Sequence, residues 1–223
     1  IQTSLVGSEM CIRDSACAIH AAAPCPKEIK QQMMRWWGAI LWEYYAGTER
    51  NGTCVIGPKD WLAHPGSVGR AYNSVLRICD ENGEELTAGE EGMIYFEQNV
   101  RSFEYHNAPD KTRAATHPIH DNWTSLGDVG YVDKEGYLYL TDRKAYMIIS
   151  GGVNIYPQEI EDALILHEAV QDVAVFGVPN EDFGEEVKAV VELAPGHTAS
   201  EETAGTLMAF AKANLAGYKV PRS

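Results

Sequence analysis

The stretch from Ala18 to Glu49 constrains the fold more than any other part of this chain. Ala18-Ile19-His20 reads as a strand end that leads into a small-residue turn, Ala21-Ala22-Ala23-Pro24. Pro26 stands where the first turn of a helix tolerates proline, because the missing N–H would have had no intrahelical partner there. Ile29, Met33, Trp36 and Trp37 then recur at helical spacing, and Gly38 suits the stop. Ala39 to Tyr45 reads as a buried strand running straight into Ala46-Gly47-Thr48-Glu49. A strand, a crossover helix and a second strand make the building block of a parallel sheet.

After Gly66 the pattern changes to short β segments. Val75 to Cys79, Met93 to Glu97, Tyr131-Val132-Asp133 and Tyr137 to Leu140 are β-rich, and Asn82-Gly83 and Lys134-Glu135-Gly136 are plain turn signals. This predicts a small antiparallel region beside the sheet. Between Glu104 and Asn122 the chain is polar and carries Pro109 and Pro118, so a surface loop with a short helix is expected.

Beyond Lys144, Pro157 opens a helix with Ile160, Ala163, Leu164 and His167 on one face. Val170 to Val178 and Val187 to Leu193 are β-branched strands, and Ser200 starts an amphipathic helix through Leu207, Phe210 and Leu215 that stops near Gly217. The fold class is therefore α/β: residues 16–143 form the end of a large αβ domain with a small antiparallel β region, and 144–223 a small α/β domain. Residues 1–15 lack helical or strand periodicity and read as a non-native, adapter-like segment.

A net charge of −14 makes nucleic acid and anionic lipid poor partners. No apolar run approaches the roughly 20 residues that span a bilayer. Five cysteines, Cys11, Cys17, Cys25, Cys54 and Cys79, include no C-x-x-C pair, so a disulfide framework or zinc site is not expected and a reducing cytoplasm fits better.

Three runs gather aromatic, glycine, carboxylate and basic residues of the kinds that small-ligand sites use. The first is Glu43-Tyr44-Tyr45-Ala46-Gly47-Thr48-Glu49, at a strand end where sheet ligands bind. The second is Trp123-Thr124-Ser125-Leu126-Gly127-Asp128-Val129-Gly130. The third is Thr141-Asp142-Arg143-Lys144, continuing through Ser150-Gly151-Gly152-Val153-Asn154-Ile155-Tyr156-Pro157 to Glu159-Ile160-Glu161. Each alone has an ordinary reading, as core aromatics, a Gly-Asp turn and a tight strand-to-helix turn.

Together, in this order, the runs resemble those of the adenylate-forming enzymes, the AMP-forming acyl-CoA synthetase family. The resemblance covers about Ala16 to Ser223. It implies an ATP-dependent ligase that activates a carboxylic acid, fatty or aromatic, as an acyl-adenylate and transfers it to CoA, with Mg²⁺ as the metal. It implies that Tyr45 stacks on adenine, Thr48 hydrogen-bonds near the α-phosphate and Glu49 holds Mg²⁺. Asp128 would accept both ribose hydroxyls, and Arg143 would reach the ribose or phosphate side. Lys144 would be the pivot on which the small domain swings, and Gly151-Gly152 would line the thiol's tunnel, where a side chain would block it. Ala22 and Ala23, with Gly47, match positions that contact the nucleotide. Arg50 departs from the glycine common after the glutamate.

The same comparison places a Ser/Thr/Gly-rich phosphate loop and a late catalytic lysine outside these residues; Lys219 matches a different family position. The chain alone is accordingly expected to have little adenylation activity. Two alternatives stand beside CoA ligation: loading of a carrier-protein thiol, and a non-catalytic nucleotide- or CoA-binding module. Lys27, Lys30 and Arg35 read as the solvated face of their helix. His117-Pro118-Ile119-His120-Asp121 reads as a surface loop rather than a metal site, since Pro118 opposes the helical geometry a zinc motif uses. The acid substrate and the oligomeric state are silent in the sequence.

Overall fold

The computed structural model describes residues 15–223. Cys11 and all of the adapter-like segment except Ser15 lie outside the described residues. Two compact units divide after Leu140.

In the first unit, β1 (Ala18–His20), α1 (Lys27–Trp37) and β2 (Leu41–Ala46) form the anticipated strand–helix–strand. The strands are parallel, with Ala18 opposite Leu41 and His20 opposite Glu43. Gly38, at φ 86°, closes α1 by donating its N–H to the Met34 carbonyl. The sheet then grows through β3 (Thr53–Ile56) and β4 (Arg70–Ala71), with α2 (Pro58–Ala63) between them, in the order β1-β2-β3-β4.

Two expectations need correction here. β2 is buried on one face only: Leu41 is buried, whereas Trp42 and Tyr44 are exposed, as are their neighbours Ile19 and Val55 on the same face. Lys30 is not on a solvated face but is 1% exposed. Its ammonium pairs with Glu43 on β2 and lies 4.6 Å from the Trp61 ring centroid, so a charge partner and an aromatic face replace its water. His20 Nδ1 lies 3.4 Å from the other Glu43 oxygen.

The antiparallel region is a second sheet, ordered β5 (Val75–Cys79), β6 (Gly92–Glu97), β8 (Asp128–Val132) and β9 (Leu138–Arg143), with β7 (Trp123–Thr124) pairing β6. Both expected turns are present. The Asp133 carboxylate fastens the second by accepting the N–H groups of Glu135 and Tyr137. Cys54, Val68, Ile78, Ile94, Phe96 and Leu138 form one core cluster; Met34, Leu41, Ile56, Trp61 and Tyr137 form another. Burial pushes the Cys54 thiol up to about 12, and burial with nearby Glu85 pushes Cys79 up to about 11, so both behave as small hydrophobes.

The second unit holds β10 (Ile148–Ser150), β11 (Val153–Ile155), α4 (Pro157–Leu164), β12 (Val170–Asn180), β13 (Gly184–Leu193) and α5 (Glu201–Asn214). Its sheet is antiparallel throughout, in the order β11-β10-β13-β12. Ile148, Ile155, Ile160, Leu164, Val175, Val187, Ala211 and Val220 pack together as its core. Ser200 caps α5 by accepting the Thr203 N–H. Glu161 accepts the Val175 N–H, which ties α4 to β12. His167 lies past the end of α4, where its Nδ1 accepts the Ala169 N–H. The architecture is mixed α/β with several antiparallel sheets, as expected.

Candidate nucleotide site

The parallel pair β1/β2 sends two loops off the same sheet edge, the one where its strands end. After β1, Ala22 adopts φ 72°, a left-handed conformation that costs a non-glycine residue strain, and Ala22 and Ala23 are exposed. After β2 come Gly47, Thr48 and Glu49.

Tyr45 belongs to the core face of β2. It pairs with Cys54 across β3, and its ring stacks on Phe96 with centroids 6.1 Å apart. Its hydroxyl emerges from this packing and donates to Asp128 Oδ2 at 2.5 Å. A phenol bonded to a carboxylate is a strong, charge-assisted contact. It ties the end of β2 to the first residue of β8 across 83 residues of chain. Asp128 is 7% exposed. It follows Gly127, whose N–H is accepted by the buried Ser125 hydroxyl, so the backbone that aims the carboxylate is itself fastened.

Gly47 lies between these groups. A Cβ built there would meet Leu126 Cδ1 at 2.6 Å and Glu49 Oε2 at 2.9 Å, so glycine permits this close approach. Glu49 accepts the Thr48 hydroxyl on Oε2 at 3.1 Å and the Tyr105 hydroxyl on Oε1 at 2.9 Å. A carboxylate is the donor type that hard divalent cations take, so Glu49 fits a role as metal ligand by its chemistry. Below the loop, Gln98 donates to the Asn51 and Arg50 carbonyls, and buried Asn51 donates to the Thr124 carbonyl. Tyr105 also borders an open cavity of about 780 Å³, together with Arg101, Asn107, Thr112 and Arg113. Sequence reasoning gave Tyr105 no role; only the fold brings it to Glu49.

Tyr45, Gly47, Thr48, Glu49 and Asp128 are thus gathered in the first unit. Arg143 and Lys144 belong to the second and are exposed. There Asp142 accepts the Arg143 N–H on Oδ1 at 2.6 Å and, on Oδ2, the Gln158 N–H of the first turn of α4 at 3.1 Å. Gly151 and Gly152, at φ 58° and 78°, make the turn between β10 and β11, conformations that glycine adopts without the Cβ penalty. Both are exposed.

The segment from His117 to Asp121 is a loop, but His117 is buried within it, contrary to a simple surface reading. Its Nδ1 accepts the N–H groups of Ile119 and His120, and its Nε2 faces the Gly83 carbonyl at 3.0 Å. Both ring nitrogens are engaged in holding the loop. Burial lowers its pKa from the ordinary 6.5.

Comparison with known proteins shows what the chain is similar to. Residues 159–223 match the AMP-binding enzyme C-terminal domain. A long-chain-fatty-acid–CoA ligase of Bacillus subtilis is 38% identical over 207 residues, covering 92% of this chain and 36% of that protein. The chain is a relative of the adenylate-forming acyl-CoA synthetases. The o-succinylbenzoate CoA synthetase of Bacillus subtilis, solved with its acyl-adenylate intermediate, superposes with a TM-score of 0.79 at 27% identity, covering 99% of this chain and 45% of that one. An amide bond synthetase from Marinactinospora thermotolerans gives 0.77 at 28% identity, covering 93% and 42%. The chain therefore spans less than half the length of each of these relatives. Among the described residues, no helix is long and apolar enough to cross a membrane.

Proposed function

We propose that the chain is the nucleotide-gripping and hinge-bearing stretch of an ATP-dependent acyl-CoA synthetase. In this reading the carboxylate of a fatty or aromatic acid attacks the α-phosphorus of ATP, and pyrophosphate leaves. The thiol of CoA then attacks the acyl-adenylate carbonyl, and AMP leaves. The observation that carries the proposal is the Tyr45–Asp128 hydrogen bond beside Glu49, at the sheet edge where ligands of such folds bind.

Tyr45 offers its outer ring face to adenine while Phe96 backs the other side. Asp128, held by the Tyr45 phenol, accepts the ribose hydroxyls with its remaining lone pairs. Thr48 hydrogen-bonds near the α-phosphate, and Ala22 and Ala23 line the approach of the base. Mg²⁺, when bound, neutralises charge on the triphosphate; Glu49 is the residue that would hold it. Arg143 is assigned to the ribose or phosphate side of the nucleotide, Lys144 to the pivot, and Gly151-Gly152 to leaving room for the pantetheine arm.

Removing one charged partner of a ribose hydroxyl costs about 1.5–3 kcal/mol, roughly tenfold or more in affinity. Titration calorimetry with AMP on the purified 223-residue chain is therefore expected to show binding that Asp128→Ala weakens at least tenfold. A wild-type chain with no measurable heat of AMP binding would sink the proposal. The same chain is expected to release little pyrophosphate from ATP plus acid, read by a pyrophosphate-coupled assay.

A further inference from the structure

Tyr105 lies in the polar segment ahead of α3 (Pro109–Ala114), 56 residues from Glu49. Its position is built from below. The Tyr105 N–H donates to Thr112 Oγ1 at 2.9 Å, and that hydroxyl donates on to the Ala108 carbonyl, so the first turn of α3 fixes the backbone that carries the phenol. Phe103 meets the ring edge-on, with centroids 5.1 Å apart. The half-buried ring then has its hydroxyl directed at one acceptor, Glu49 Oε1.

A glutamate on a loop has three side-chain torsions to lose before its carboxylate can act at a fixed point. Thr48, next in sequence and itself exposed, holds Oε2 but cannot fix the direction of the whole group. Tyr105 holds the other oxygen from a separate, anchored element. Hydrogen-bond partners of this kind orient metal-binding carboxylates, and losing one typically weakens metal binding about 10–100-fold.

We infer that Tyr105 is a positioning residue, whose phenol sets the orientation in which Glu49 receives the divalent cation of the nucleotide. This rests on the nucleotide reading above and assigns a task within the same site. The test uses the 223-residue chain and measures AMP affinity, then ATP affinity with and without Mn²⁺, by calorimetry. The quantity of interest is the gain in ATP affinity that Mn²⁺ confers. Tyr105→Phe removes one oxygen and keeps the ring packing. It is expected to shrink that gain about tenfold, with AMP and metal-free ATP affinities unchanged. In a Glu49→Gln background, Tyr105→Phe is expected to change nothing further.

An undiminished gain in Tyr105→Phe overturns the inference, as does an equal loss of AMP affinity, which is what a merely structural tyrosine would give. A wild-type chain that binds AMP but gains nothing from Mn²⁺ overturns it too, while leaving the nucleotide reading in place. A wild-type chain that binds no AMP removes both.

Discussion

Arg50 stands one residue beyond Glu49 at φ 57°, in the left-handed region. The family resemblance implies glycine at this point, and the backbone explains why: a Cβ there costs about 1–2 kcal/mol. Glycine also adds unfolded-state entropy, which offsets roughly 0.5–1 kcal/mol of the relief. Arg50→Gly is therefore expected to stabilise the first unit by about 0.5–1 kcal/mol, read as a higher denaturant midpoint with an unchanged slope. That Arg50 departs from the family pattern was legible in the sequence; the sign of its φ was not. Lys30 shows the complementary gap. Its spacing within α1 says only which helix face it shares. Whether Glu43 waits on that face depends on the register of β1 against β2, which no local pattern specifies.

At the scale of elements, periodicity served best where one pattern ran long. α1, β5, β6, α4 and α5 follow from helical or alternating spacing and from Pro, Gly and Ser at their ends. β3, α2 and β4 are short; β3 is defined by its pairing with β2, and β4 by its pairing with β3. The segment from residue 104 to 122 shows how a polar stretch can still be anchored. His117 is buried neutral, with its Nδ1 accepting two backbone N–H groups. Because its folded pKa lies below 6.5, the unfolded chain takes up the proton first as pH falls. The stability this histidine contributes is whole above about pH 6.5 and is lost as pH drops through the lower folded value. Thermal melts from pH 7.5 to 5 should show a falling midpoint. His117→Gln should start lower at pH 7.5 and fall less steeply; a parallel fall would rule out His117 as the source.

Across the whole molecule, the α/β class was readable because the strand–helix–strand pattern, the β-rich middle and the Pro157 helix differ in character; the expected boundary at residues 143/144 falls three residues past the division after Leu140. The gathering of Tyr45, Glu49 and Asp128 was readable only through resemblance, since 83 residues separate the two ends of its central hydrogen bond. The second unit carries its own closed core, so residues 141–223 alone are expected to melt cooperatively. In that setting Ile160→Ala, at a fully buried position, should cost about 2–5 kcal/mol. Against a total of about 5–15 kcal/mol for a typical domain, this should lower the melting temperature by many degrees. A broad, non-cooperative melt of the wild-type piece would contradict the core described here.

Asp142 precedes the proposed pivot, and the Gln158 N–H that donates to its carboxylate follows it. One short tether thus straddles Lys144, bolting the strand side to the first turn of α4. Both ends of the tether lie within the second unit, so it fastens the entry of that unit to the start of its first helix. Asp142→Ala would take one acceptor from the Gln158 N–H and slacken the start of α4.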